Sequence, residues 1–190
     1  VNKQMANEQV ILGSGDLYIV AYTGTLPADD VIEVEANKVG HIQGGASLEY
    51  KPEEYEVVSD MAGAIKRFVI SEEITFKSGI LTWNLETLAK VIAACEITDD
   101  NGLRTVKIGG KGARLMKEYV VHFVHTEPDG NKFKVTLVGT ASNGFSLAFT
   151  PDKETIIDAE FKAKAHDANG TQLILTEEYD EGVVTPPEEE

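Results

Sequence analysis

Alternation of apolar and polar positions is most sustained between residues 44 and 82, and the rest of the chain is read around that stretch. From 46 to 50, Ala46, Leu48 and Tyr50 fall on one side, with Ser47 and Glu49 on the other. An acidic interval follows, with Lys51, Pro52, Glu53, Glu54, Tyr55, Glu56 and Asp60, before a bend expected at Met61-Ala62-Gly63. The return run sets Phe68, Ile70, Ile74 and Phe76 against Arg67, Ser71, Glu73, Thr75 and Lys77. A period of two over this length predicts a two-stranded ribbon with one dry face and one wet face. Glu72 breaks the pattern. Either a bulge at Glu72-Glu73 shifts the register, or its carboxylate is paired.

The same reading extends in both directions. Residues 16–23 carry Leu17, Ile19 and Ala21 on one side and Tyr18, Val20 and Tyr22 on the other, a strand covered on both faces. A connection over 24–38 leaves room for a short strand at 31–35. Asn84 caps a helix expected to run to about Cys95, with Glu86 in its first turn and Leu85, Leu88, Ile92 and Cys95 on one stripe. Asp99-Asp100-Asn101-Gly102 reads as a turn. Strands are expected at 118–126, 132–138, 155–165 and 171–176, with further alternation through Phe145, Leu147 and Phe149. Many strands and one helix predict a mainly β fold: a β-sandwich or partly closed barrel with one flanking α-helix and a long β-ribbon. The domain spans 14–178, between an N-terminal arm at 1–13 containing Val10-Ile11-Leu12 and an acidic tail at 179–190 expected to be disordered.

Charge changes this picture more than composition does. The 42% hydrophobic and 26% charged content is ordinary, but 32 acids against 17 bases give a formal charge of −15. Seven of the acids follow Thr176; without them, 25 still face the 17 bases. Such a surface lacks the phosphate-neutralising lysines and arginines of a nucleic-acid reader. Against that background the run 104–117 stands out, with Arg104, Lys107, Lys111, Arg114 and Lys117 and no acid. It is expected to meet carboxylates, its own or a neighbour's.

Candidate chemistry is sparse. The single cysteine, Cys95, reads as a small core residue. His122 and His125 sit three apart in a strand and so face opposite ways, and cannot share a metal. Gly109-Gly110-Lys111-Gly112 lacks the following Ser or Thr and the earlier glycine of a phosphate loop. Asp99-Asp100-Asn101-Gly102 and Asp167-Ala168-Asn169-Gly170 do not fit calcium-loop spacing. The expectation is no enzyme, no metal and no cofactor. No basic segment followed by an apolar run opens the chain, and no stretch approaches the roughly 20 apolar residues of a membrane helix, so no membrane partner is expected.

The order of these elements resembles the bacteriophage tail tube (major tail) proteins. The likeness is carried by the ribbon at 43–82 running straight into SGILTWNLETLAKVI (78–92), and by the hairpin series EYVVHFVHTEPDGNKFKVTLVGTASNG and FSLAFTPDKETIIDAEFKAKAHDANGTQLILTEE (118–178). It covers about 13–178 and rests on order and pattern, since no single motif is diagnostic. The resemblance implies hexameric rings, stacked into a hollow conduit for DNA, in which each ribbon joins a continuous inner barrel. Ser47, Glu49, Ser71, Glu73 and Thr75 would line the lumen, as an acidic, hydroxyl-rich surface along which DNA slides without specific binding. The interval 51–63 would form a stacking loop between rings, and the basic cluster would contact a neighbouring subunit. Partners implied are the chain itself, with sheath, tail terminator, tape measure and baseplate proteins. The place implied is the virion tail, assembled in host cytoplasm. Two alternatives stay open: the tube of a phage-derived contractile bacteriocin or injection device without a genome, and a β-sandwich surface or adhesion module.

Overall fold

The computed structural model describes residues 15–59, 61, 63–110, 115–152 and 154–178. The arm at 1–13 and the tail at 179–190 thus lie outside the described residues. The fold is mainly β and wholly antiparallel. Strand β1 (Asp16–Ala21) pairs with β6 (Glu118–Thr126), and β6 pairs with β7 (Lys132–Ala141). The far edge of β7 is shared. Strand β9 (Leu173–Glu177) takes its first half and β8 (Ile157–Ala163) its last three residues. Beyond β8 come β3 (Gly63–Ile80) and β2 (Ile42–Ser59). A separate hairpin joins β4 (Cys95–Asp100) to β5 (Leu103–Ile108).

The seven-stranded sheet curls without closing into a barrel. Phe76 of β3 and Phe123 of β6 belong to strands three places apart, with β7 and β8 between them, yet their ring centroids lie 6.0 Å from each other. Val39 donates its N–H to the Leu17 carbonyl at 2.7 Å, so the chain entering β2 touches β1 while no β1–β2 ladder forms. The main core collects alternate residues of each strand, including Leu17, Ile19, Phe76, Ile80, Val121, Leu137, Ile157 and Phe161.

Among the described residues, two short α-helices stand where one was expected. Helix α2 (Leu85–Lys90) begins at Asn84, whose side chain accepts the Thr87 N–H at 2.9 Å. It stops about five residues short of the expected end, because Val91 has already left helical geometry (φ −95°, ψ 3°) and Cys95 opens β4. Leu88, Val91, Ile92 and Cys95 nevertheless reach the core. Helix α1 (Asp29–Ile32) replaces the strand expected at 31–35. Asp29 and Asp30 suit its N-terminal end, and Asn37 closes the other by donating to the carbonyls of Val31 and Ile32, both at 3.1 Å. Ile32 is thereby buried against Val120 and Val138 on the outer face of the sheet. That cover explains why β1 is apolar on both sides.

The turn at Asn101-Gly102 has φ of 48° and 79°, the pair of left-handed positions that a two-residue hairpin needs. The alternation at 145–149 forms no strand. Phe145 and Leu147 pack on the core while Phe149 stays 80% exposed.

Candidate assembly surface on the projecting ribbon

Strands β2 and β3 are eighteen residues each, but β8 flanks β3 only from Thr75 to Ile80. The outer part, from about residue 50 to the bend and back to 74, therefore has two strands and no third. Ten residues at about 3.3 Å each carry it roughly 33 Å beyond that flanked base. All residues from 49 to 58 and from 65 to 73 are exposed. This corrects the expected loop. Lys51, Pro52, Glu53, Glu54, Tyr55 and Glu56 are ladder residues, paired with Glu73, Glu72, Ser71, Val69, Phe68 and Arg67. Pro52 is tolerated because β2 is an edge strand and gives up no interior hydrogen bond. Met61 alone of the named residues sits at the bend; Asp60 lies outside the described residues.

Register decides what this outer part displays. Glu53 pairs with Ser71 but Glu54 with Val69, so Ile70 is an extra residue on β3. The bulge is there, not at Glu72-Glu73. Glu72 keeps its place on the Ile74 face and accepts the Tyr50 O–H at 2.7 Å. Past Ile70 the faces exchange. Phe68, expected beside Ile74 and Phe76, instead lies opposite Tyr55 on the face of Glu53 and Lys51. Lys66 stands 4.8 Å from the Phe68 ring centroid on that same face. Val69 and Val58 lie on the opposite side, so the outer ribbon shows large apolar groups on both faces.

The five residues expected to line a lumen do share one face: Ser47 opposite Lys77, Glu49 opposite Thr75, and Glu73 and Ser71 next along β3. Two expectations about that face are corrected. Thr75 is only 6% exposed, because β8 stands beside it and places it in register between the longer Glu49 and Lys162. Nor is the face simply acidic. Lys51 pairs with Glu49 at 2.8 Å, Lys77 with Glu160 at 3.2 Å and Lys162 with Glu73 at 3.4 Å. The hydrogen bond and charge of Lys51 hold the Glu49 carboxyl below its usual range.

The basic run divides. Arg104 is satisfied within its own chain, donating to Asp99 at 2.8 and 3.0 Å and to Glu86 at 2.8 Å. Lys107 stands opposite Glu96 in the β4–β5 hairpin. The Lys117 ammonium lies 3.8 Å from the Cys95 sulfur. Lys111 and Arg114 lie outside the described residues.

One polar cluster had no sequence signal. His122, fully buried, has Nδ1 2.7 Å from the Thr136 hydroxyl and Nε2 3.2 Å from Glu33. Lys134 lies 2.7 Å from Glu33 and 2.8 Å from Asp29. Burial raises the Glu33 carboxyl, but hydrogen bonds from Lys134 and His122 outweigh it and hold the group below its ordinary value. Ligand atoms of Asp29, Glu33 and His122 lie within 4.8 Å of one another, yet the Lys134 ammonium already bridges the two carboxylates. The cluster pins α1 to the sheet. Glu33 and His122 are 89 positions apart, and only the fold brings them together. No described helix is long and apolar enough to cross a membrane. Comparison with protein-family models and with curated protein sequences finds no match.

Proposed function

We propose that this chain is a structural subunit of a tube: a ring-forming protein of the tail-tube kind, whose ribbons join side by side into an inner barrel and whose rings stack into a conduit for DNA. One observation carries the reading. The outer ribbon leaves both of its hydrogen-bonding edges free and apolar groups exposed on both faces. A lone two-stranded hairpin is at best marginal in water, and open apolar edges invite association. Closing such edges in a ring of identical copies satisfies both demands at once. The mixed face of Glu49, Lys51, Glu73, Lys77, Glu160 and Lys162 would then line the bore, with each lysine held by a carboxylate rather than offered to phosphate. No step of catalysis is assigned, and the protein would act in a virion tail with its own copies as principal partner.

The test is negative-stain microscopy and sedimentation of the purified protein over a wide concentration range. Rings or hollow tubes are expected. A species that stays monomeric at the highest concentration, with amides of 50–59 and 63–74 exchanging freely throughout, overturns the proposal.

A further inference from the structure

The sequence holds three Asn-Gly pairs, at 101–102, 143–144 and 169–170, and the fold leaves all of them exposed. Such a pair carries its own chemistry. The glycine amide nitrogen, with no Cβ to shield it, attacks the asparagine Cγ, expels ammonia and closes a succinimide ring. Water then opens the ring at either carbonyl. The product is aspartate, or an isoaspartyl link in which the main chain runs through the former side chain. The net exchange is one ammonia for one water, so no oxidant or cofactor is required. Ring closure does require the asparagine backbone to turn until the two atoms meet, and it requires a free nitrogen.

The three pairs differ in those two respects. Asn101 and Gly102, at φ of 48° and 79°, form a two-residue loop clamped between the ladder partners Asp100 and Leu103. Asn169-Gly170 is held more fully. The Asp167 carboxylate accepts the N–H groups of Asn169 at 3.0 Å and Thr171 at 2.8 Å, while the Gly170 N–H, the attacking nitrogen, donates to the Asp167 carbonyl at 3.2 Å. Asn143-Gly144 lies just beyond β7. Upstream, Ser142 is tied to Glu160, donating its N–H to the carbonyl at 2.9 Å and its hydroxyl to the carboxylate at 2.8 Å. Downstream, residues 144–149 belong to no strand or helix. Among the described residues, neither the Asn143 side chain nor the Gly144 N–H has a hydrogen-bond partner.

We infer that Asn143 is a site of spontaneous deamidation, converting ahead of Asn101 and Asn169 while the chain is folded. Its surroundings give the change consequences. Asn143 borders a polar pocket of about 450 Å³ that also contains Lys77, Asp158 and Glu160. Lys77 and Glu160 pair there at 3.2 Å, so conversion sets another carboxylate beside an existing ion pair. The isoaspartyl product also lengthens the main chain ahead of Phe145 and Leu147, which pack on the core. The inference stands apart from the tube-forming proposal. It concerns one molecule and holds or fails whether or not copies assemble.

Peptide mapping by mass spectrometry tests it. The full chain is incubated at mildly alkaline pH, folded and in guanidinium chloride, and conversion at the three pairs is followed with time. In the folded chain Asn143 is expected to convert severalfold faster than the other two, with aspartyl and isoaspartyl peptides both formed. In denaturant the three rates are expected to converge. Gly144→Ala, at a position with open space around an added Cβ, is expected to slow conversion at Asn143 severalfold, and melting beside the parent checks that its fold is kept. Conversion at Asn101 or Asn169 as fast as at Asn143 in the folded chain overturns the inference. So does an Asn143 that converts only in denaturant, or an order of rates that denaturant leaves unchanged.

Discussion

Replacing Tyr55 and Phe68 together by threonine would separate folding of the monomer from the association proposed above. The two face each other across the outer ribbon and are 57% and 46% exposed. A buried aromatic side chain removes roughly 150–250 Å² from water, so about 200 Å² of the pair remains open to a partner. If half of that is covered in a contact, about 25 cal/mol per Å² gives about 2.5 kcal/mol, or roughly sixtyfold in the association constant. Threonine keeps the strand preference, and the loss to the monomer is that of one cross-strand pair, about 0.2–1 kcal/mol. The concentration at which material first pellets should therefore rise by more than an order of magnitude. Thermal unfolding of dilute protein should move by only a few degrees. An unchanged pelleting threshold would refute the reasoning. So would a loss of more than about 3 kcal/mol in the dilute protein, since the pair would then be holding the monomer together.

Other consequences are as definite. Phe76→Ala, at a site 1% exposed and with its ring tilted against Phe123, should cost about 3–5 kcal/mol by chemical denaturation. Asn84→Ala removes the acceptor for the Thr87 N–H and should cost about 1 kcal/mol in the same assay. Glu33 has a depressed folded pKa, so its contribution is present above its unfolded value near 4.5 and is lost as pH falls through the lower folded value. Glu33→Gln should therefore flatten the acid side of the stability profile below about pH 4.5, and an unaltered acid limb would argue that the Lys134 and His122 contacts are not formed.

What could be read in advance was whatever depends on near neighbours in the chain. The strand at 118–126 lies where its pattern put it, Asn84 caps its helix, and the chain turns at Asn101-Gly102, although Asp99 and Asp100 of the expected turn belong to β4. What was missed depends on distant residues. The acidic run after Pro52 resembles a connection because nothing local says it pairs; only Phe68 and its neighbours on β3 make it a strand. The four residues of α1 are too few to show a helical period, and burial of Ile32 against β6 and β7 fixes them. Glu72 signalled that the alternation was broken somewhere in the return strand. The extra residue proved to be two positions away, because Tyr50 offers Glu72 a hydrogen bond without any shift in register.

On the proposed assembly, the surplus residue at Ile70 would divide one strand between two kinds of selection. Substitutions at Ile74, Phe76 or Ile80 are felt inside each molecule as soon as it folds. If copies join as proposed, those at Lys66, Phe68 or Val69, exposed in the single molecule, would be felt mainly in the contact between copies. Related sequences should drift by different rules on either side of that position, conserving size and apolarity on one side and compatibility between copies on the other.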